Sequence, residues 1–260
     1  MTTGIQAQDT ARNSLTLSLG PALQHRQDLI FSPFIHESFG FPTIGLSWQK
    51  DKAGHTWVEF QGGGFTSGLE APFTYYTDGD EQEAYPHTFT YIHAGVGRGA
   101  YLSSGPKGRS ILGASFHGDI QALDNQYGLV SFFGYYASFG VGAWFKRQMY
   151  LGPKHRLTWQ VELPLVSWVS RSPYLVNDDE FIENIYSHNG FKTFFAYLAD
   201  GRLTSVHELQ RLNAAIAYNY ILSPRFDIGA TWTLRYMHYS EPVALNLLEQ
   251  YFHVSAAWKW

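Results

Sequence analysis

At 260 residues and a net charge of −4, the chain has the length of one large domain or two small ones, and it offers no electrostatic case for binding nucleic acid. It has no cysteine, which excludes a disulfide framework and a thiol nucleophile. Charged residues make up only 15% and aromatics reach 17%, an unusual surface for water, yet a mean hydropathy of −0.21 is too polar for a bundle of transmembrane helices.

A transmembrane β-barrel reconciles these facts, because only every second residue of a spanning strand must be apolar. No linker, charge run or low-complexity tract divides the chain. Residues 14–260 therefore read as one barrel, and 1–13 as a periplasmic N-terminal segment or the remnant of a signal peptide cleaved after Ala7.

The first strand, near 14–25, sets Leu15, Leu17, Leu19 and Leu23 against Thr16, Ser18, Gly20, Ala22 and Gln24, a period of two rather than 3.6. Strands follow near 42–50 and 55–65, joined by the turn Asp51–Gly54. Segment 87–101 alternates least clearly, with Phe89 and Tyr91 on one face and Ile92, Ala94 and Val96 on the other. After a turn at Ser104–Gly108 come strands near 109–122 and 127–147. Tyr127 to Phe145 carries no charge and is long enough for a transmembrane helix, but its glycines and aromatics favour a strand, and a single span would leave every other alternating segment unexplained.

Beyond the Gly152-Pro-Lys turn, residues 156–168 set Leu157, Trp159, Val161, Leu163 and Leu165 against Thr158, Gln160, Glu162 and Pro164. The long segment 169–205 contains Asn177–Asn184, an Asn cap followed by acids that predicts a short surface helix. Its Phe191, Phe194, Phe195 and Tyr197 are expected to fold over the barrel mouth or meet a partner. The last strands lie near 206–221, 225–239 and 249–260, with a turn at Ser223–Arg225.

The expected fold is all-β: an antiparallel transmembrane barrel of about ten strands, with short periplasmic turns, long extracellular loops and both termini in the periplasm. Trp48, Trp144, Trp168 and Tyr150, near strand ends, are expected in aromatic girdles. A soluble lipocalin-like barrel would carry a Lys/Glu-rich exterior, whereas the less apolar face here is Gly, Ser, Thr, Asn and Gln, which suits a wet interior.

Inward parity collects Glu59, Gln61, His117, Asp119, Gln121, Gln160, Glu162, Arg211, Asn213, Asp227, Arg235, His253 and Lys259, acids mixed with bases. In a barrel of this size they are expected to fill the lumen as an ion-paired network; a narrow channel is the sharper alternative. His36, His87, His188 and His207 cluster in or beside the outer loops at no recognised ligand spacing, so neither a metal nor another cofactor is expected.

The chain ends in an alternating, aromatic-terminated strand, Tyr251–Trp260. It resembles the C-terminal β-signal by which bacterial outer-membrane proteins are recognised by their assembly machinery, which implies an outer-membrane location. Tyr236-Met-His-Tyr-Ser240, followed by Glu249 on the next strand, is similar to the catalytic segment of outer-membrane lipid A 3-O-deacylases. That resemblance implies His238 as general base, Ser240 as nucleophile and Glu249 as the group orienting the imidazole. Glu241 stands where that family has an Asn, and Glu249 has inward parity.

The functional expectation is a non-enzymatic envelope protein with a structural, accessory or loop-mediated binding role. A serine esterase acting on membrane lipid is the alternative. Expected partners are outer-membrane lipids and lipopolysaccharide, the assembly machinery and other envelope proteins.

Overall fold

The computed structural model describes residues 13–68, 73–77, 79–84, 87–127, 130–172 and 190–260. The Asn177–Asn184 helix, His188 and nearly all of the N-terminal segment lie outside them.

The strands, in chain order, are β1 (Asn13–Asp28), β2 (His36–Asp51), β3 (His55–Ser67), β4 (Phe73–Thr77), β5 (Asp80–Ala84), β6 (His87–Gly105), β7 (Gly108–Tyr127), β8 (Val130–Tyr150), β9 (His155–Arg171), β10 (Arg202–Ser205), β11 (Leu209–Ser223), β12 (Phe226–Tyr239) and β13 (Leu245–Lys259), with one helix, α1 (Gly190–Ala199), before β10. Ten strands form the wall in the order β1-β2-β3-β6-β7-β8-β9-β11-β12-β13, and β13 pairs antiparallel with β1 to close it. The hairpin β4–β5 belongs to the loop between β3 and β6, and β10 pairs only with the outer end of β9. Tyr127–Phe145 is thus mostly strand, and among the described residues no helix is long and apolar enough to cross a membrane.

Alternation decides which way each side chain faces. Leu17, Ile44, Phe60, Ile92, Phe116, Val141, Leu163, Ile216, Ile228 and Val254 all point outward and are 47–67% exposed, around the whole circumference. In water such a surface would be a severe aggregation liability; in a bilayer it is the lipid-facing belt. The wall is closed, so no backbone edge is left to satisfy in hydrocarbon.

Apart from one-residue register shifts at the turn ends of β6 and β11, parity breaks inside two strands. In β2 the register against both neighbours shifts by one residue around Phe41-Pro42, and in β9 it shifts around Leu165. Each shift is a β-bulge beside a proline, the position in a sheet where a missing N–H costs least. One bulge lets His36, Ser38, Thr43 and Gly45 all face inward, and the other turns Val166 and Trp168 outward. This is why alternation alone starts β2 at residue 42 rather than 36.

Candidate functional site

Both ends of the lumen are defined by what fills them. In the outer half, β3, β6 and β7 contribute Phe65, Phe89, Tyr91 and Leu123, which pack with Phe31 and Tyr251. Across from them Tyr136, Val169, Leu209, Met237, Tyr239, Leu245 and Leu247 form a second cluster. The face of β6 that carries Phe89 and Tyr91 is therefore luminal, so its strand looks ambiguous by periodicity because both of its faces are apolar.

Between these clusters runs a set of ionic and polar bridges, several of which join strands that are not neighbours. Arg26 of β1 meets Gln121 of β7, and Asp28 accepts from Arg26 (3.0 Å) and from Arg171 of β9. Deeper, Asp119 of β7 lies between His93 of β6 and Arg211 of β11, and Arg211 also donates to Ser138 of β8 at 2.9 Å. Arg235 of β12 reaches Gln61 of β3 at 3.1 Å and sits over the Tyr251 ring. All of Arg26, Asp28, Asp119, Arg171 and Arg211 are at most 8% exposed. Buried charges of this kind are tolerable only when paired and hydrogen-bonded.

The periplasmic half is wetter. A cavity of ≈ 220 Å³ runs from mid-lumen to the periplasmic rim and is lined by Glu59, Gln160, Thr231, His253, Lys146 and Arg156 among others. Arg156 and Lys259 both bond Asp227, and Lys146 donates to Gln49 at 3.0 Å. At the rim Arg109 meets Asp51, which also accepts from Tyr101 at 2.7 Å. Trp144 is 1% exposed, with its indole N–H given to the Ala114 carbonyl and its ring against Trp57. Its expected place in a girdle is thereby corrected, since even positions of β8 face inward; Trp168, in contrast, is outward and 38% exposed.

The eight residues Glu59, His117, Asp119, Glu162, Arg211, Asp227, Arg235 and His253 all face the lumen. Glu162 accepts from Ser115 and, at 3.3 Å, from Asn213, while His253 meets Thr43 at 2.7 Å. Sequence reasoning missed Arg26, Asp28, His93 and Arg171. Three of them lie where alternation alone predicts loops, yet the even positions Gln24, Arg26 and Asp28 continue the inward face of Ala22, which is the available signal.

The deacylase-like trio is not assembled. His238 faces outward near the outer end of β12, where its Nδ1 meets Asn246 Oδ1 at 2.7 Å. Ser240 donates to the Glu208 carbonyl at 3.4 Å. Glu249 is 1% exposed inside the lumen, held by Gln24 (3.0 Å) and His93 (3.4 Å). The expectation that Glu249 orients His238 is therefore corrected: the barrel wall stands between them, and Asn246 occupies the place the carboxylate would need. Among the described residues no group of three or more metal-ligating side chains gathers.

No family model and no curated protein matches this sequence. Solved structures do. The outer-membrane protease OmpT from Escherichia coli is similar over 96% of this chain and 97% of its own, with a TM-score of 0.61 at 6% identity. Neisserial surface protein A matches over 95% and 97% with a TM-score of 0.39 at 10% identity, and the β-domain of the Bordetella autotransporter BrkA over 96% and 100% with 0.42 at 8%. The closed ten-stranded wall and the lipid belt make the chain a bacterial outer-membrane β-barrel. A likeness to a protease at 6% identity is one of fold, and the fold by itself selects no activity.

Proposed function

We propose that the protein is a non-conducting outer-membrane barrel that acts as a structural, accessory or loop-mediated binding protein of the cell envelope. The observation that carries this reading is the chain of cross-lumen bridges, Arg26–Asp28–Arg171 above Asp119–Arg211, set between two aromatic and aliphatic clusters. A solute pathway needs a continuous wet lumen, and the cavity of ≈ 220 Å³ lies in the periplasmic half, below these bridges. Large apolar side chains on the extracellular side, Phe34 (60% exposed), Ile35 (55%) and Tyr76 (69%), favour recognition by the loops. The partners this reading implies are outer-leaflet lipid and lipopolysaccharide, other envelope proteins and, during biogenesis, the assembly machinery.

Purified protein in planar bilayers is expected to give no resolvable conductance at low voltage. Steady openings would overturn the proposal in favour of a channel.

A lipid hydrolase is the reading to exclude by assay. Protein in mixed micelles with lipid A or phospholipid is expected to release no fatty acid, and Ser240→Ala to change nothing. Release that Ser240→Ala abolishes in a folded barrel, by the several powers of ten expected for a lost nucleophile, would establish the enzyme.

A further inference from the structure

The C-terminal half of helix α1 lies against the outside of the wall, whereas the sequence alone placed its aromatics over the mouth or against a partner. Even positions of β8 face the lumen, so Tyr135 faces outward; beyond the β9 bulge, Trp168 and Ser170 face outward as well. Outward residues lower on the same strands are open, Val141 at 53% and Val166 at 38%. Tyr135 and Ser170 are instead only 8% and 2% exposed.

What covers them is α1. The Tyr197 ring stacks on Tyr135 with centroids 4.3 Å apart and planes at 12°. The last carbonyls of a helix have no partner within it, and here the wall supplies donors: Ser170 Oγ to the Tyr197 carbonyl, and Trp168 Nε1 to the Leu198 carbonyl at 2.9 Å. Gly201 follows, so close to the Trp168 ring that a Cβ would come within 3.0 Å of several of its atoms. The chain then enters β10, where Leu203 pairs with Trp168, and Thr204 donates to the Ser167 carbonyl at 3.0 Å.

We infer that α1 is an interfacial anchor, strapped by its C-terminal end to the outside of the barrel over β8 and β9, with its exposed edge embedded in outer-leaflet lipid. Phe195 is 62% exposed and Leu203 68%, and Leu203 pairs with Trp168, which belongs with Val166 to the lipid-facing belt. The apolar surface of the strap is thus continuous with a surface that the closed wall already gives to the bilayer. A short helix with a bulky apolar edge, lying against such a wall, suits the boundary between headgroups and acyl chains. The occupant is therefore the acyl region of the outer leaflet rather than solvent or the lumen.

The absence of cysteine permits a clean test, because Phe195→Cys creates a single labelling site. A nitroxide there, in protein reconstituted into vesicles of phospholipid and lipopolysaccharide, is expected to collide severalfold more with oxygen than with a water-soluble nickel chelate. It should match a label at Val166→Cys on the belt and differ from one at Tyr76→Cys on the β4–β5 hairpin. Leu203→Cys repeats the measurement on the neighbouring strand; at these exposures neither substitution removes core packing. Free access of the nickel chelate to both labels would place the strap in water. Protection from both probes would place it against protein. Either result overturns the inference.

Discussion

Replacing Asp119 with alanine is expected to cost about 3–5 kcal/mol of barrel stability, the usual penalty when one partner of a buried ion pair is removed. Asp119 is 2% exposed and is the carboxylate that Arg211 and His93 share. Its loss leaves the guanidinium in mid-lumen donating to the Ser138 hydroxyl at 2.9 Å without its directly paired carboxylate, and a buried charge stripped of its contact partner is far more costly than an absent pair. The double variant Asp119→Leu with Arg211→Met removes both charges at nearly constant volume and should recover most of the loss. Guanidinium unfolding in vesicles, followed by tryptophan fluorescence, measures both, and the faster gel migration of unheated protein confirms that each variant folds. A single variant that loses less than about 1 kcal/mol, the range of an exposed ion pair, would show that the mid-lumen is hydrated and the bridge weak.

The second large effect is a change of kind. Arg26, Asp28 and Arg171 are the charged closure of the outer lumen, with Arg26 also over the Phe89 ring and Arg171 over that of Tyr239. Changing all three to alanine removes two of the largest side chains there together with the carboxylate between them. No lone charge of the set is left to collapse the space. A silent barrel should then show discrete openings in planar bilayers, because the periplasmic cavity would extend upward. Keeping Asp28 while removing both arginines is expected to give openings that favour cations, since the remaining carboxylate would face the opened path. Silence in both variants would mean that the aromatic clusters alone close the lumen.

Much of the wall was legible in the sequence, for a physical reason: lipid on one side and a polar lumen on the other impose a two-residue rhythm on every strand. Leu15, Leu17 and Leu19, or Trp159 and Leu163, show it directly, and both sets face outward. Where the rhythm failed, a specific interaction had replaced it. The bulge at Phe41-Pro42 reverses parity within β2 and hid His36 and Ser38 in an apparent loop. Phe89 and Tyr91 look like lipid-facing residues but pack across the lumen, a contact between distant strands that no local pattern encodes. Trp144 was misplaced for the same reason.

The candidate site divides similarly. Inward parity found the luminal charges but not their partners, because pairing across a barrel depends on curvature and stagger. The His238, Ser240 and Glu249 set was suggested by a short local resemblance to the lipid A deacylases. Parity already put Glu249 on the far side of the wall, and in the structure Gln24 and His93 hold it there.

The seam between β1 and β13 constrains how such a molecule can be made. It joins Ser14 to Lys259 and Asp28 to Leu245, nearly the greatest separations along the chain. Loop-closure entropy must be met before these contacts return anything, so closure is the late and slow step. Until it happens, the nascent sheet has two raw borders, each a row of unpaired amides and carbonyls ready to join any other strand. Every bridge across the lumen also waits for that event, since Glu249 and Arg235 cannot reach His93 and Gln61 until the ring shuts. Ring closure and interior assembly are therefore a single cooperative act, and an intermediate lacking the final strand gains almost none of the stability of the finished protein.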